Sequence, residues 1–388
     1  MHFDFSFVGA VLAWLGLAVV VYVYLGYPLA LWVLGRIARR AVGASAGCPR
    51  VTLMISAFNE ADVIAAKLEN SLQLDYPRDR LKIVVISDAS DDATDRIVAS
   101  YSGKGVQLIR MAERGGKTVG LNAAMTTVSS DIVVFSDANI MYRTDTVQSL
   151  VAPFADPQVG CVTGDSQYAG ENPSAAHIQE NTYWGYERWI RTLESQIGST
   201  VGGDGAIFAI RRSLFQALSP DAINDLVIPL QIVSKGYRAV FASTAVGYEP
   251  SAGDFTKEFR RKRRIVNRSW RGVWSVPGVL NPFRMGIFAW QVWSHKVLRW
   301  LVLFFVCLGV MGCVLAMSRS WIYQLGTWGF VGSMALAAMG AVAPSTLGLI
   351  GRLAQGMFYF YLVNVAALLG IMRAIFGRVE MIWAPERS

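Results

Sequence analysis

The sequence predicts an α/β domain, built around a mostly parallel sheet, that is inserted between apolar segments able to cross a membrane. The first observation is composition: 53% of the 388 residues are hydrophobic and only 16% are charged, which is too apolar for a soluble protein of this length. The second is that the middle of the chain alternates short β-branched runs with helical patterns. The third is that several of those runs end in oxygen-bearing side chains, as strands do where a sheet binds ligands.

The N-terminal segment, residues 7–34, is nearly free of charge and long enough to span a bilayer. Three arginines follow it closely, and this excess of positive charge predicts that its C-terminal end lies in the cytoplasm. A signal peptide would carry its positive charges before a shorter apolar core, so residues 1–40 are predicted to be a permanent anchor. A short Gly/Ala/Ser linker at 43–47 leads to the α/β domain.

Up to Pro153, strand and helix patterns alternate. Apolar runs rich in β-branched residues and too short to be helices predict buried strands, and apolar spacings of three and four predict the helices between them. The predicted strands are 51–56, 82–87, 106–109 and 132–136, and the predicted helices are 62–72, 94–100 and one opened by Gly115-Gly116-Lys117. Successive parallel strands that end in oxygen-rich turns are typical of a half-sheet that binds a nucleotide.

After Pro153 the pattern is looser but remains α/β. The predicted elements are strands at 159–163, 206–210, 238–241 and 245–248, a long helix at 175–196 and a helix beginning at Asn224-Asp225. The aromatic residues of the long helix are Tyr183, Trp184, Tyr186 and Trp189. Such residues fit a core, a membrane interface or a face that stacks on sugars, and a position in the core is the default expectation.

The last part of the chain is first basic and then apolar. A helix at 256–271 mixes cations with apolar residues, which is typical of a helix lying on a membrane surface, and 278–296 is predicted as a second interfacial helix. If the α/β domain is cytoplasmic, three C-terminal spans would place the last arginines on the other side of the membrane. This conflicts with the positive-inside rule, so the topology of this region stays open. The spans are predicted at 297–317, 321–343 and 353–372. The predicted divisions are an anchor at 1–40, an α/β domain at 48–255, interfacial helices at 256–296, spans within 297–376 and a tail at 377–388.

Residue counts and spacing exclude several classes of site. Four scattered cysteines and three histidines argue against a disulfide framework and a histidine metal site. The net charge of +8 is concentrated in the basic run at 260–264, and a basic cluster beside apolar segments favours lipid headgroups or an anionic substrate over nucleic acid. Gly116-Lys117-Thr118 is not a P-loop, because the first glycine of that motif would fall at Met111.

Polar side chains follow three of the predicted strands. Asp88 and Asp137 end strands that are predicted to be neighbours, and Asn59-Glu60 ends a third. A bound nucleotide needs hydrogen-bond acceptors for its base and ribose and a cation for its phosphates. Asp88 is therefore assigned to the base and Asp137 to the ribose or the metal. Asn139 is assigned to the metal, and Lys117 fits a phosphate ligand or a solvated cation at a helix start.

Structural alternatives accompany these assignments. Asp88 would equally serve as the cap of a turn, and Asp225 as the cap of the helix that it begins. The basic run fits a lipid-facing surface, a diphosphate clamp or both. The glycine-rich stretch around Gly203 is expected to serve backbone conformation and to let an acceptor approach closely, with Gly203 and Asp204 as the predicted acceptor contacts.

Five segments follow one another in a recognisable order: residues 55–60, 87–95, 116–122, 135–139 and 224–225, before the basic helix. In that order they resemble the motifs of family 2 glycosyltransferases. With the anchor and the C-terminal spans, the chain resembles the membrane-embedded members: cellulose, hyaluronan and poly-N-acetylglucosamine synthases, and ceramide glucosyltransferase. The resemblance covers roughly residues 50–275; each motif is weak alone, and their common order makes the resemblance specific.

The resemblance implies a GT-A fold, that of nucleotide-diphospho-sugar transferases, here inserted between transmembrane helices. It further implies a UDP-sugar as donor and Mg²⁺ or Mn²⁺ as cofactor. By the same resemblance, Asn59, Glu60 and Asp88 would hold the uridine, with Lys117 nearby.

The remaining motifs match the reacting part of the family's site. Asp137 and Asn139 match the D-x-D motif, which binds ribose, diphosphate and metal. Asp225 matches the general base that removes the proton of the acceptor hydroxyl, opposite the leaving diphosphate, in an inverting transfer. Arg263 and Arg264 would clamp that diphosphate.

Two departures from the family pattern matter. Asn139 is a neutral ligand where the family often has a carboxylate, and the Q-x-x-R-W motif of processive synthases is replaced by the basic run, which leaves processivity open. The leading hypothesis is an inverting transferase that moves a sugar from a UDP-sugar to a lipid-linked or polysaccharide acceptor at the cytoplasmic membrane face. The alternative is a non-catalytic, nucleotide-binding membrane scaffold or a partner subunit of a glycan-synthesis complex. Membrane lipids are expected partners in both cases, and nucleic acid in neither.

Overall fold

The computed structural model describes residues 4–40, 43, 47–169, 175–250, 255–342 and 348–378. Most of the predicted linker at 43–47 and of the predicted tail at 377–388 lies outside the described residues. The described part contains the α/β domain and apolar helices on both sides of it in sequence.

An eight-stranded mixed sheet forms the centre of the domain. Its strands are β1 (Val51–Ala57), β2 (Leu81–Ser87), β3 (Val106–Arg110), β4 (Ile132–Asp137), β5 (Met141–Tyr142), β6 (Val159–Ala169), β7 (Ile207–Arg211) and β8 (Arg238–Pro250). They lie in the order β3-β2-β1-β4-β7-β6-β8-β5. The first four strands in this order are mutually parallel, whereas β7 runs antiparallel to both β4 and β6. The predicted parallel half-sheet is therefore confirmed.

Two details of the predicted sheet are wrong. Asp88 and Asp137 do not follow neighbouring strands, because β1, which precedes Asn59, lies between β2 and β4. The crossover from β3 to β4 carries the chain past two strands, and strand patterns alone do not reveal such a step. The predicted strands 238–241 and 245–248 are one strand, β8, which bulges between its pairings with Thr163 and Asp165 of β6 and so remains continuous.

Twelve helices accompany the sheet in the described part of the chain. They are α1 (Phe5–Ile37), α2 (Ala61–Leu72), α3 (Thr94–Ser100), α4 (Lys117–Met125), α5 (Thr146–Val151), α6 (Ala175–Ile197), α7 (Asn224–Ser234), α8 (Phe255–Ser275), α9 (Ile287–Trp300), α10 (Val302–Leu315), α11 (Trp321–Val342) and α12 (Gly348–Ile375). Short 3₁₀ or α turns lie at Ser102–Lys104, Ala152–Ala155, Arg212–Leu214, Pro277–Leu280 and Pro282–Met285.

Side chains of the central strands alternate between two buried hydrophobic layers. Leu53 enters one layer and Met54 the other, as the twofold period of a strand requires. Phe135 of β4 stacks on Phe208 of β7 with 4.5 Å between ring centroids, which ties the parallel half of the sheet to the antiparallel half. The polar residues at the ends of β1, β2 and β4 are thus carried by rigid, fully buried strands.

Three of the described helices, α1, α11 and α12, are long and apolar enough to cross a membrane. Helices α9 and α10 pass the same test only together, and they are bent by 65° around Leu301. In place of one predicted interfacial helix at 278–296, short turns lead into α9; the break at Leu301 falls inside the predicted span at 297–317, and that span stays a prediction. Polar residues of α9 form ion pairs with α6 of the domain, which holds this helix against the domain.

Helix α1 packs closely against α10 through small residues. A Cβ at Gly16 would lie 2.5 Å from the carbonyl oxygen of Phe305, and one at Gly312 would lie 2.3 Å from the amide nitrogen of Ala13. Small residues allow this approach of two backbones in membrane helices. The basic helix α8 packs against α12, where Asn267 Nδ2 donates to the Gly370 carbonyl at 3.2 Å; its position on a membrane surface stays a prediction.

Candidate active site

Asp225 lies in the first turn of α7, enclosed by the loop Gly202-Gly203-Asp204-Gly205. The Gly203 amide donates to the Asp225 carbonyl at 2.6 Å, and a Cβ at Gly205 would lie 3.3 Å from Asp225 Oδ2. Helix α7 has no side-chain cap, and Asp225 Oδ1 has no hydrogen-bond partner among the described residues. The carboxylate is therefore presented by the helix and does not cap it.

The electrostatic surroundings of Asp225 suit proton transfer. Burial raises the pKa of this carboxyl, and Asp204 adds to the shift against the opposing charges of Lys117 and Arg268. A general base is most effective when its pKa approaches the working pH. The raised pKa therefore makes Asp225 better suited to accept a proton than a carboxylate with an ordinary pKa.

Lys117, the first residue of α4, joins two walls of the site. Its Nζ lies 2.5 Å from Asp137 Oδ1 and donates to the Gly205 carbonyl at 2.9 Å. Both side chains of the Lys117–Asp137 pair are largely shielded from solvent, with 22% and 33% exposed. The alternative of a solvated cation is therefore wrong, and the lysine neutralises the carboxylate that ends β4.

Asp88 orders the loop that precedes Lys117. Its Oδ1 accepts from the amides of Gly115 at 2.9 Å and Gly116 at 3.0 Å, and its Oδ2 accepts from Gly116 at 2.9 Å. Gly116 has a φ of 85°, a conformation that favours glycine. Asp88 thereby fixes the direction in which α4 begins.

A cleft of about 180 Å³ lies at the carboxyl ends of β1, β2 and β4, the edge at which open α/β sheets bind ligands. We call it the donor cleft. Its charged lining residues are Asp88, Lys117, Asp137, Asp225, Arg264 and Arg268. Arg268 Nε donates to the Asp221 carbonyl at 3.1 Å, which holds this guanidinium at the cleft.

Four of the residues predicted to bind the donor or its metal do not line the donor cleft. Asn59, at a φ of 51°, accepts the Asp91 amide on its Oδ1 at 3.1 Å, and Glu60 is 1% exposed. Asn139 lies in the turn after β4, and Arg263 lies where its carbonyl faces Gly370 of α12. Of the two arginines predicted to clamp the diphosphate, Arg264 lines the cleft and Arg263 does not. The second guanidinium at the cleft belongs to Arg268.

A second cavity, of about 610 Å³, lies on the other side of Asp225, between the domain and helices α1, α9 and α12. We call it the membrane-side cavity. Its lining includes the predicted acceptor contacts Gly203 and Asp204. The residues that line both cavities are Asp137, Gly205, Ile223, Asp225 and Ile265. The carboxylate of Asp225 is thus at the junction of the two spaces.

Three of the four aromatic residues predicted on α6 line this cavity. Tyr183, Trp184 and Tyr186 are half-buried and line it, whereas Trp189 is 44% exposed and does not. The expected core position holds in part for Tyr186, which also packs against the buried cluster around Tyr27 and Ile190. It is wrong for the other three, because the face of α6 that carries Tyr183 and Trp184 borders the cavity and Trp189 is exposed.

A family model described as glycosyltransferase like family 2 matches residues 49–268, more than half of the chain. The chain belongs to this family. Its site residues therefore lie within a family 2 glycosyltransferase domain, as the resemblance predicted.

Curated proteins similar to the chain include the probable glycosyltransferase YdaM of Bacillus subtilis, 26% identical over 236 residues that make up 56% of this chain and 54% of that protein. Poly-beta-1,6-N-acetyl-D-glucosamine synthase of Staphylococcus aureus is 24% identical over 208 residues, 52% of this chain and 48% of the synthase. The chain thus spans about half the length of the curated relatives it matches.

Among solved structures, the mannosyltransferase PcManGT from Pyrobaculum calidifontis, in complex with GDP-Man and Mn²⁺, superimposes with a TM-score of 0.71 at 21% sequence identity. The superposition covers 95% of this chain and 99% of the mannosyltransferase, so it includes the helices on both sides of the domain. The GT-A fold expected from the sequence is therefore confirmed.

The family 2 domain offers a sparse set of metal ligands. Within the described ranges there is no group of three or more His, Cys, Asp or Glu side chains placed to hold a metal ion. Magnesium is nevertheless commonly held by one or two carboxylates together with substrate phosphates and waters. Asp137, at the end of β4, supplies one carboxylate to the donor cleft, so these residues fit an ion whose coordination a bound diphosphate completes.

Several charged residues of the site were not predicted from the sequence. Glu249 of β8 lines the membrane-side cavity, where burial raises its pKa to about 8 and Asp204 and Asp137 add to the shift. Arg191, Lys296 and Arg299 line the same cavity from α6 and α9. For Lys296 and Arg299 the only signal in the sequence is that each lies next to a long apolar segment. Ionisable residues beside membrane spans mark functional positions.

Proposed function

We propose that this protein is an inverting, metal-dependent glycosyltransferase that moves a sugar from a UDP-sugar to a lipid-linked or polysaccharide acceptor at the cytoplasmic membrane face. The observation that carries the proposal is the position of Asp225. It has a raised pKa and a carboxylate oxygen without a hydrogen-bond partner among the described residues, and it lies where the donor cleft meets the membrane-side cavity.

In the proposed reaction the nucleotide-sugar occupies the donor cleft and the acceptor hydroxyl enters from the membrane-side cavity. Asp225 accepts the hydroxyl proton while the acceptor oxygen bonds to the anomeric carbon. The bond between that carbon and the diphosphate oxygen breaks on the opposite face, and the nucleoside diphosphate leaves with the electron pair. Arg264 and Arg268 at the cleft stabilise the charge that develops on the diphosphate.

Lys117 keeps the end of β4 and the Gly205 loop in place during this reaction, because it bonds both. A divalent cation, when bound, would be held by Asp137 and would neutralise charge on the diphosphate. The similar mannosyltransferase was solved with GDP-Man and Mn²⁺, which supports a nucleotide-sugar donor and a divalent ion here. Uridine as the base rests on the motifs of the sequence.

The position of the domain in the cytoplasm is supported by the charges that flank α1. Arg36, Arg39 and Arg40 follow the apolar segment and precede the domain, and positive charge accumulates on the cytoplasmic side of membrane helices. A domain on that side has access to cytoplasmic nucleotide-sugars and to acceptors held in the inner leaflet.

The direct test is release of nucleoside diphosphate by the detergent-solubilised full chain, supplied with a panel of UDP- and GDP-sugars and with extracted membrane lipids as acceptors. We expect turnover of UDP-sugars that depends on Mn²⁺ or Mg²⁺ and stops with a chelator. Turnover of GDP-sugars alone would refute the uridine assignment. Calorimetric binding of UDP without turnover of any donor would favour the scaffold hypothesis.

A further inference from the structure

The two walls of the membrane-side cavity carry opposite charges. The carboxylates of the sheet wall are Asp137, Asp204, Asp225 and Glu249. The cations of the helix wall are Arg191 of α6, Arg261 and Lys262 of α8, and Lys296 and Arg299 of α9, and they outnumber the one carboxylate of that wall, Glu187 of α6. A molecule with a hydroxyl at one end of its headgroup and an anion at the other would match both walls.

Lys296 is the first of two helix-wall cations whose charge is poorly balanced by the protein. Among the residues that the structure describes, no carboxylate oxygen lies within 4.0 Å of its ammonium group. The nearby carboxylates are engaged elsewhere: His295 Nδ1 lies 2.8 Å from Glu194 Oε1 and His295 Nε2 lies 3.1 Å from Glu187 Oε2, while Arg299 also pairs with Glu187. A shielded cation in this position is costly unless a ligand supplies the anion.

Arg191 is the second helix-wall cation whose charge is poorly balanced by the protein. The residue is only 7% exposed, yet its Nε has no hydrogen-bond partner in the described part of the chain. Its closest carboxylate oxygen, Asp204 Oδ2, is 4.0 Å from Nη1, and its guanidinium otherwise lies over the Trp184 ring at 5.3 Å. The guanidinium of Arg191, a residue that lines the cavity, therefore retains an unused donor, and its planar group suits an oxyanion.

The anion position is close to the proposed base. A Cβ at Gly202 would lie 3.9 Å from Lys296 Cε and 3.8 Å from the Asp225 carbonyl oxygen. The backbone of Gly202 thus separates the lysine from the first turn of α7 by one layer of atoms. Phe360, Val363 and Ala367 of α12, a helix apolar enough to span a membrane, form the apolar side of the same cavity.

We propose that Lys296 and Arg191 form a subsite for the phosphate of an acceptor lipid, whose hydroxyl is thereby brought to Asp225. The description of this lipid as the acceptor rests on the proposed function, whereas the subsite itself is defined by binding. A lipid is favoured over a soluble phosphate ester because α12, a helix apolar enough to span a membrane, forms one side of the cavity. Lysine and arginine together offer a point charge and a planar pair of donors to phosphate oxygens.

The test is equilibrium binding, measured by fluorescence anisotropy on the full chain in nonionic detergent without donor or metal. The probes are short-chain phosphatidic acid and the diacylglycerol that lacks its phosphate, each carrying the same fluorophore on an acyl chain. Lys296→Gln and Arg191→Gln should each weaken phosphatidic acid binding about tenfold, which is about 1.4 kcal/mol, because each removes a charged donor to the phosphate. Lys296→Arg should restore most of the binding, which a merely misfolded variant would not do.

Arg284→Gln is the matched control, since Arg284 is an exposed cation outside the cavity, in the turn Pro282–Met285 just before α9. It should bind phosphatidic acid as the wild type does. Equal affinity for the two probes, or equal loss in all three glutamine variants, would overturn the subsite. Competition by glycerol 3-phosphate as strong as by unlabelled phosphatidic acid would overturn the lipid assignment. None of these readouts depends on turnover, so the proposed function can fail while the subsite stands.

Discussion

The donor cleft and the membrane-side cavity share Asp225 but differ in how their charges are satisfied. In the donor cleft Lys117 pairs with Asp137, Asp88 binds two backbone amides, and Arg268 donates to the Asp221 carbonyl. In the membrane-side cavity Lys296 and the Nε of Arg191 have no such partners among the described residues. The donor cleft is thus largely ordered before a ligand binds, whereas the other cavity depends on a ligand to complete it.

The difference follows from how the two spaces are built. The donor cleft is formed at the ends of strands whose central residues are buried, and backbone groups hold its Asp88, Lys117 and Arg268 side chains. The membrane-side cavity is assembled from α1, α6, α8, α9 and α12, which are distant in sequence and carry long cationic and aromatic side chains. Under the proposed function, preorganisation in the cleft would lower the free energy lost on binding the donor, and the open charges of the cavity would select the acceptor.

The largest effect is expected at the residue that both spaces share. Asp225→Asn should lower kcat by about 10²–10⁴-fold, the usual contribution of a positioned general base. Binding of UDP, measured by calorimetry, should be nearly unchanged, because the amide keeps the shape of the side chain. Asp221→Asn is the control on the same loop: its carboxylate pairs with Arg271 and lines neither cavity. An Asp225→Asn enzyme that retains wild-type kcat would remove the main argument for transfer at this junction.

A double-mutant cycle at Lys117 and Asp137 tests whether the donor cleft is ordered as a unit. Lys117→Met alone should lower kcat/KM about 10²-fold, since it leaves a shielded carboxylate unpaired, an effect of about 2–3 kcal/mol. The cycle with Asp137→Asn should show coupling of about 1–3 kcal/mol, as for residues in direct contact. Lys117→Met and Lys296→Gln should combine additively, because the two lysines have different roles. Coupling in the second cycle equal to that in the first would abolish the distinction between the two spaces.

The two spaces also differ in how far the sequence could predict them. Asp88, Lys117 and Asp137 follow buried strands or open a helix, and periodicity locates such positions directly. The order of the strands could not be read in this way, so the placement of β1 between β2 and β4 was missed. Arg191 and Lys296 are 105 positions apart and meet only through the packing of α6 on α9, which no local pattern encodes.

Gly205 tests how closely the loop must approach the base. In Gly205→Ala the new Cβ would lie 3.3 Å from Asp225 Oδ2 and 3.5 Å from its Cγ, closer than most Cβ contacts, so the carboxylate must shift. We expect kcat to fall by about threefold to tenfold, since small displacements of a reacting group are costly, with little change in UDP affinity. Gly198→Ala is the control, because nothing lies within 4 Å of a Cβ at that position. A fully active Gly205→Ala enzyme would mean that Asp225 tolerates movement.

The smallest expected effect is that of Glu249→Gln on stability. It tests whether the carboxylates of the membrane-side cavity lack balancing cations. Burial raises the pKa of Glu249 from 4.5 to about 8, so the folded protein binds this proton more tightly than the unfolded protein does. The free energy of unfolding must therefore decrease as the pH rises from about 4.5 to about 8 on account of this group.

Glu249→Gln removes that term, because the glutamine is neutral at every pH. Its Tm in detergent should match the wild type near pH 4.5 and exceed it by a few degrees at pH 8, while Glu113→Gln at an exposed position should show no such trend. The sign of the change in Tm at pH 8 distinguishes two cases. If cations of the cavity already balanced its carboxylates, Glu249→Gln would lower the Tm of the protein at pH 8. A rise in the Tm of the variant that grows with pH means instead that the position of Glu249 beside Asp204 and Asp137 destabilises the folded protein. Such a cost is expected where a cavity wall serves to contact a ligand.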